Sequence, residues 1–397
     1  MDPRFTRLAE LSVHGSNVQP GQVVLVNAEL GQEELARAIA AAAYDRGAKF
    51  VDVNYFDPLG KRVRIQHADP ETLDFVPSWY GERMAAHAEL RGARVTLAGA
   101  TEPNLLDDLD NALVGRDRLP YLKEIPKIVG ERLTNWCIVP CPHPAWAKLV
   151  HPELPEADAL EKLWAELEHV LRLDEPDPQQ AWEERMAVLN DSARRLSEHH
   201  FDAIELKGPG TDLTIGMLPT HRWWAADFRT AAGLRHFPNL PTEEVFTTPD
   251  PERTEGHVAS TKPLVLRDGT IIRGLRVRFE RGKAVEIEAD ENAGALRGQQ
   301  SLDSGSLRLG ELALVDSQGR IGPLGTVFYD TLLDENAASH IALGNGFPFL
   351  VEGEDLERVN SSGTHVDFMI GSPELEVDGV TAGGDRIPVL RNGDWQI

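Results

Sequence analysis

Two short segments near the C-terminal end carry side chains that could perform metal chemistry. His340 ends the segment Glu335-Asn336-Ala337-Ala338-Ser339-His340, and His365 and Asp367 lie in Thr364-His365-Val366-Asp367-Phe368-Met369-Ile370. These polar groups stand among small or apolar neighbours, where burial is costly unless they are hydrogen-bonded or bind a metal. The segments predict a hydrolytic metalloenzyme, although each histidine alone could also be a hydrogen-bonded core residue.

The segment around His365 alternates polar and apolar residues, which predicts a β-strand. His365 and Asp367 are then at positions i and i+2, so both side chains leave the same face. An imidazole beside a carboxylate suits zinc, cobalt or manganese; a metal-free Asp–His hydrogen bond is the structural alternative. The Ala-rich segment before His340 predicts a short helix that starts near Asp334 or Asn336.

Three glutamates could complete such a site. Glu243 and Glu244 lie in NLPTEEVFTTP, between prolines, and Glu311 lies in LGELALV. Adjacent residues of a strand point to opposite faces, so an extended chain would aim only one of Glu243 and Glu244 at a given site, whereas a bend would allow both. A carboxylate before an apolar strand, such as Glu311, needs a partner if it is buried. The alternatives are a solvated acidic turn and an edge residue facing water.

Taken together, these acids and histidines exceed what one tetrahedral zinc requires. They suit two metals ~3.5–4 Å apart, which would lower the pKa of a water molecule and polarise a carbonyl. A further carboxylate could carry the water proton to a leaving amine. This inventory fits hydrolysis of a peptide bond at a chain terminus. A two-metal phosphoesterase is the alternative, although no Lys or Arg lies inside the motifs to bind phosphate.

The elements that must position these residues change character along the chain. The first half alternates apolar strands such as Val23–Val26 and Phe50–Val53 with helices such as Gln32–Arg46, which predicts parallel βαβ units. After Phe201, short apolar runs alternate with Gly, Asp and Pro, which predicts mainly antiparallel β structure with turns at Asp268-Gly269 and Arg281-Gly282. We expect an α/β domain over residues 1–200 and a β-rich (α+β) catalytic domain over residues 201–397 that carries the metal site.

Composition narrows the class of protein further. The 397 residues are 41% hydrophobic and carry a formal charge of −24, which disfavours binding to nucleic acids and anionic membranes. No run approaches the ~20 apolar residues of a membrane span, and the N-terminal segment lacks the apolar region of a signal peptide. Two cysteines cannot provide a disulfide framework, which fits a reducing cytoplasm.

The motifs as a set resemble the aminopeptidase T family of metallopeptidases, which includes the staphylococcal and streptococcal aminopeptidases S. The matching stretches are NLPTEEVFTTP, LGELALV, LLDENAASHIALGNGFP, HVDFMIGS and IPVLRNGDW. NWCIVPCPHPAWA and the opening βαβ pattern match as well, so the resemblance covers nearly the whole chain.

The resemblance implies roles for individual residues. It implies that the metal ligands are Glu244, Glu311, His340, His365 and Asp367. Glu311 is then expected to bridge the two metals, and Glu243 is expected to be the catalytic general base. The residues themselves do not separate the roles of Glu243 and Glu244.

The resemblance also implies the cofactors and partners. The family uses two divalent metal ions, for which zinc, cobalt, manganese and magnesium all qualify. Its substrates are short peptides with a free N-terminus, cleaved with broad side-chain preference. Its members are cytoplasmic homodimers. We therefore expect the same cofactors, substrates, location and assembly here.

One position departs from the family pattern. Family members have a tyrosine seven residues after the first ligand histidine, in a Gly-x-Ala-Tyr-Pro context, whereas this chain has Phe347 in Gly344-Asn345-Gly346-Phe347-Pro348. Phenylalanine has no hydroxyl to contact a metal or a tetrahedral oxyanion. A catalytically impaired relative that only binds peptides is therefore a further alternative.

Overall fold

The computed structural model describes residues 2–120, 122, 124–266 and 270–397. The chain divides into two compact units. Unit 1 consists of Met1–Glu183 and Asp227–Pro241, and unit 2 of Glu184–Ala226 and Thr242–Ile397. The division into an α/β domain over residues 1–200 and a β-rich domain over residues 201–397 stays a prediction. The described helices include none whose length and hydropathy would let it cross a lipid bilayer.

The helices are α1 (Pro3–Gly15), α2 (Glu33–Asp45), α3 (Pro58–His67), α4 (Ser78–Glu89), α5 (Asn111–Arg116), α6 (Ile125–Gly130), α7 (Pro144–Val150), α8 (Glu156–Val170), α9 (Pro178–His199), α10 (Ala293–Gln299) and α11 (Thr331–Glu335). The strands are β1 (Val23–Glu29), β2 (Phe50–Phe56), β3 (Ala93–Ala98), β4 (Asn135–Pro140), β5 (Ala203–Gly208), β6 (Thr211–Met217), β7 (Trp224–Ala225), β8 (Phe228–Arg229), β9 (Arg235–His236), β10 (Glu244–Thr247), β11 (Pro249–Ala259), β12 (Leu264–Val265), β13 (Ile271–Ile272), β14 (Arg276–Glu280), β15 (Lys283–Glu288), β16 (Leu309–Val315), β17 (His340–Gly344), β18 (His365–Met369), β19 (Glu376–Val380), β20 (Arg386–Arg391) and β21 (Asp394–Trp395).

Unit 1 is built on a parallel four-stranded sheet with the order β2-β1-β3-β4. Val24, Val26 and Val95 are fully buried in it, and α2 buries Ile39. Gly47, two residues after α2, has φ +87°, a conformation in which glycine carries no steric penalty. The parallel βαβ arrangement predicted from the first half of the sequence is confirmed.

Unit 2 contains an eight-stranded sheet, β15-β14-β11-β6-β5-β19-β20-β21, and a five-stranded sheet, β18-β17-β16-β10-β7. The strand pairs within both are antiparallel, as predicted. The β14–β15 turn has positive φ at both Arg281 and Gly282, the requirement of a type I′ hairpin. The predicted Asp268-Gly269 turn lies outside the described residues.

The five-stranded sheet has two chemically different faces. Leu312, Ile341 and Phe368 are opposite one another on β16, β17 and β18 and are fully buried. Burying each such side chain contributes about 1.5–3 kcal/mol relative to exposure. Because side chains alternate between the faces of a strand, their immediate neighbours in sequence project from the other face. Those neighbours include the residues singled out by the sequence motifs.

Candidate metal centre

Three adjacent strands bring the predicted ligands onto one face of the five-stranded sheet. Glu311 on β16 and Asp367 on β18 are both opposite Ala342 of β17, so the three form one row across the sheet. His340 is two residues before Ala342, and His365 is two residues before Asp367. Directly opposed residues share a face, and so do residues two apart. This face of the sheet therefore carries two carboxylates and two imidazoles.

Glu244 reaches the same face from β10. It is opposite Val315, which lies four residues after Glu311 on β16. The neighbouring positions of this face are occupied by small residues, Ala313 opposite His340 and Gly344 opposite His365. Because these neighbouring residues are small, they leave space on this face of the sheet in which the longer polar side chains can converge.

The polar side chains form two groups that share one carboxylate. The ligand atoms of Glu244, Glu311 and His340 lie within 4.8 Å of one another, and so do those of Glu311, His365 and Asp367. His340 Nε2 is 3.1 Å from Glu244 Oε2, and His365 Nε2 is 3.1 Å from Glu311 Oε2 and 3.2 Å from Asp367 Oδ1. All five residues predicted as ligands are thus brought together.

Both histidines are oriented so that Nε2 faces the carboxylates. The other ring nitrogen, Nδ1, lies 3.2 Å from the carbonyl oxygen of Ala338 in His340 and 2.8 Å from that of Asn345 in His365. An Nδ1–H donated to a carbonyl leaves Nε2 as the coordinating atom, the usual arrangement of metal-binding histidines.

The electrostatics of the cluster fit a divalent cation. Burial raises the pKa of Glu311, and the negative charges of Asp367 and Glu244 raise it further. The hydrogen bond between Glu311 and His365 opposes this shift. Burial alone would lower the pKa of His340, but its hydrogen bond with Glu244 and that residue's charge raise it to about 10. The carboxylates of the cluster repel one another, and a divalent metal ion bound between them would remove this repulsion. The oxygen and nitrogen donors suit zinc, cobalt or manganese.

Glu243 lies outside both groups. Its side chain is fully buried, and its Oε2 is 2.6 Å from Nε of Arg185. Its neighbour Glu244 belongs to the cluster instead, which follows from the opposite directions of adjacent side chains. The general-base role predicted for Glu243 stays a prediction.

Sequence reasoning assigned no role to Glu335, which the structure places beside the cluster. Glu335 is the last residue of α11, five residues before His340. Burial raises its pKa well above the ordinary glutamate value, and the negative charges of Asp367 and Glu244 add to the shift. The signal available in the sequence was an acidic residue five positions before a predicted ligand histidine.

Phe347 lies next to the cluster, as its position after His340 suggested. Its ring centroid is 5.6 Å from that of His365, and it also packs against Phe246 at 5.3 Å and Phe349 at 5.5 Å. The position that carries a hydroxyl in the family pattern is therefore part of an aromatic wall beside a predicted ligand.

Comparison with known proteins identifies the family. The model of the thermophilic metalloprotease (M29) family matches residues 1–395. The chain belongs to the M29 metalloprotease family. The family and the metallopeptidase class predicted from the motifs are confirmed, and the mixed α/β fold agrees with a solved structure of the family.

Several M29 relatives resemble the chain over its whole length. It is 41% identical to aminopeptidase T of Thermus aquaticus, covering 99% of this chain and 98% of that protein. It is 36% identical to aminopeptidase 2 of Geobacillus stearothermophilus with the same coverage. The structure of wild-type AmpT from Thermus thermophilus superposes with a TM-score of 0.92 at 40% identity, covering 100% of this chain and 99% of that one.

Proposed function

We propose that this M29 protein is a metal-dependent aminopeptidase that removes N-terminal residues from short peptides. The observation that carries the proposal is the pair of three-residue groups joined by Glu311, because a shared carboxylate is how two cations are held close together. The names of the relatives, aminopeptidase T and aminopeptidase 2, support the same substrate class.

The proposed site holds two divalent cations, for which zinc, cobalt, manganese or magnesium qualify. Glu244 and His340 would hold one cation, His365 and Asp367 would hold the other, and Glu311 would contribute to both. When bound, the cations lower the pKa of a water molecule and polarise the scissile carbonyl. The side chain of His365 is 23% exposed to solvent, whereas that of His340 is 1% exposed. The peptide therefore approaches from the His365 side.

Proton transfer falls to Glu335 in this proposal. A carboxylate beside the metal centre can accept a proton from water and hand it to the leaving amine, and Glu335 interacts with the charges of Asp367 and Glu244. Glu243 is less suited, because its carboxylate is already held by the guanidinium of Arg185.

Assembly and location complete the proposal. Following the family resemblance, we take the active form to be a cytoplasmic homodimer. Light scattering on the purified protein tests the assembly, with a mass of two chains expected and a mass of one chain contradicting it.

Metal removal and restoration test the proposed function. Dialysis against a chelator should abolish hydrolysis of a leucine anilide, and zinc or cobalt should restore it, because the cations activate the water. The N-acetylated anilide serves as the control and should remain uncleaved. Activity that survives complete removal of metal contradicts the proposal, as does turnover of an aryl phosphate without any peptide hydrolysis.

A further inference from the structure

A buried ionic network lies directly behind the candidate metal centre in unit 2. Arg185 of α9 contacts two carboxylates at once: its Nε is 2.6 Å from Glu243 Oε2, and its Nη2 is 2.7 Å from Asp316 Oδ1. The side chains of Arg185, Glu243 and Asp316 are 5%, 0% and 1% exposed. The three charges are therefore almost completely removed from water and depend on one another.

The network also holds the backbone of Glu243, the residue immediately before Glu244, at both its N–H and its carbonyl group. The backbone N–H of Glu243 donates to Oδ1 of Asn336 at 2.7 Å, and the carbonyl oxygen of Glu243 accepts from Nη2 of Arg185 at 3.4 Å. Glu244, the first residue of β10, follows immediately. The start of β10 is therefore held by two hydrogen bonds to the backbone of Glu243.

The same contacts reach the other functional elements. Asn336 follows Glu335 and donates through Nδ2 to the carbonyl oxygen of Leu332 in α11 at 3.0 Å. Asp316 follows Val315, the residue opposite Glu244, at the end of the strand that carries Glu311. One network therefore ties together the end of α11, the start of β10 and the end of β16.

Asp316 is itself held by more than Arg185. Its Oδ2 accepts from Nε1 of Trp395 at 2.7 Å, and its Oδ1 accepts from the backbone N–H of Gln318 at 3.0 Å. Burial on its own would lower the pKa of Arg185, but the charges of Glu243 and Asp316 outweigh burial and raise it. The guanidinium of Arg185 therefore stays positively charged within the network.

We propose that Arg185 is a positioning residue of the metal centre, which acts through Glu243 and Asp316 to hold Glu244 and Glu311 at the spacing that two cations require. In this role Glu243 is a positioning residue as well, and its carboxylate is a partner of Arg185. The inference rests on the proposed function for its catalytic consequence, but its effect on metal binding is independent of the reaction.

Metal affinity and cobalt spectroscopy test this role in the full-length protein. Arg185→Lys keeps a charge but cannot donate to two carboxylates in a fixed fork, and Arg185→Met removes the charge. We expect the dissociation constant for Zn²⁺, measured by competition with a chromogenic chelator, to rise about tenfold in the lysine variant and further in the methionine variant. The visible spectrum of bound Co²⁺ should change, kcat should fall about tenfold, and KM should stay within twofold.

Two further comparisons make the test decisive. Arg194→Lys is the matched control, because Arg194 lies on the same helix but pairs at the surface with Asp191 and Glu198; it should leave affinity, spectrum and kcat unchanged. If the Arg185 variants do not fold, Glu243→Gln and Asp316→Asn carry the test with the same expected losses.

Unchanged zinc affinity and cobalt spectrum in the folded variants overturn the positioning role. A hundredfold loss of kcat in Glu243→Gln with wild-type metal affinity also overturns it, because that result assigns proton transfer to Glu243. If the wild-type protein binds zinc but cleaves no aminoacyl substrate, the proposed function fails while the affinity comparison still tests Arg185.

Discussion

At the residue scale, the neighbours Glu243 and Glu244 have different surroundings. Glu244 faces His340 on the polar side of the sheet, while Glu243 faces Arg185 in the interior. Removing the partner of a buried charge costs about 3–5 kcal/mol, which makes a carboxylate held in this way a poor candidate for cycling protons. For Glu335, burial and the negative charges of Asp367 and Glu244 raise the pKa, so this carboxylate interacts with the cluster itself.

Replacing Glu335 with glutamine tests the assignment of the general base. The amide cannot accept the water proton, so we expect kcat to fall by about 10²–10⁴-fold. Zinc affinity and the melting temperature should stay close to wild type, because Glu335 is not among the five proposed ligands. Steady-state kinetics with a leucine anilide and a chelator competition assay measure both. A kcat within threefold of wild type would refute the role of Glu335.

The substitution Phe347→Tyr tests the departure from the family pattern. The added hydroxyl would lie in the aromatic wall beside His365, where a donor can stabilise a developing oxyanion. We expect kcat to rise about tenfold with KM and melting temperature unchanged. Phe349→Tyr, one ring further along the wall, is the matched control and should have no effect. A fall in kcat for Phe347→Tyr would mean that the site depends on an apolar side chain there.

At the scale of the elements, unit 1 contains a buried histidine, His236. Its protonation state depends on how the short strands pack against the parallel sheet. His236 of β9 lies with its ring centroid 4.6 Å from Trp136 and 6.2 Å from Phe228. Burial lowers the pKa of His236 to about 4. The imidazole is therefore neutral in the folded protein across the physiological range.

Because of His236, we expect the free energy of unfolding to decrease in mild acid. As pH falls below about 6.5, the unfolded chain takes up a proton at this position, but the folded protein does so only near pH 4. Stability from His236 is thus present above pH 6.5 and lost between pH 6.5 and 4, by about 3 kcal/mol. Denaturant unfolding at pH 7 and pH 4 should show a smaller loss in His236→Phe.

The exposed His257 provides the control for that experiment. His257→Gln should leave the difference between the unfolding free energies at pH 7 and pH 4 unchanged. Equal acid sensitivity of the wild type and His236→Phe would show that other groups dominate the titration.

At the scale of the whole molecule, all five proposed ligands belong to unit 2. A ligand that binds only the folded state stabilises it by mass action, about 2.7 kcal/mol at a hundredfold excess over the dissociation constant. Metal should therefore act on the unfolding of unit 2 in particular.

Calorimetry with increasing zinc tests this expectation. The transition that reports unit 2 should move to higher temperature with zinc concentration, because the cation also offsets the repulsion among buried carboxylates. The ligand variant His340→Ala is the control and should show a much smaller shift. A melting temperature independent of zinc in the wild type would contradict a metal centre in this unit.

Local sequence determined much of the fold and of the candidate site. Apolar periodicity identified the parallel strands of unit 1, and the alternation around His365 correctly placed His365 and Asp367 on one face of a strand. These features depend on residues a few positions apart, whose relative directions are set by backbone geometry. One local expectation was wrong: the helix before His340 ends at Glu335 and does not start near Asp334 or Asn336.

Only the tertiary structure decided which glutamate joins which partner. Arg185 meets Glu243 and Asp316 across 58 and 131 positions of the chain, and Glu311 faces Asp367 because two strand registers align both with Ala342. Strand register and the neighbours of a buried charge are set by packing among distant segments, which no short-range pattern encodes. The sequence alone therefore determined the residue types for the metal site, and the assembled sheet decided their arrangement.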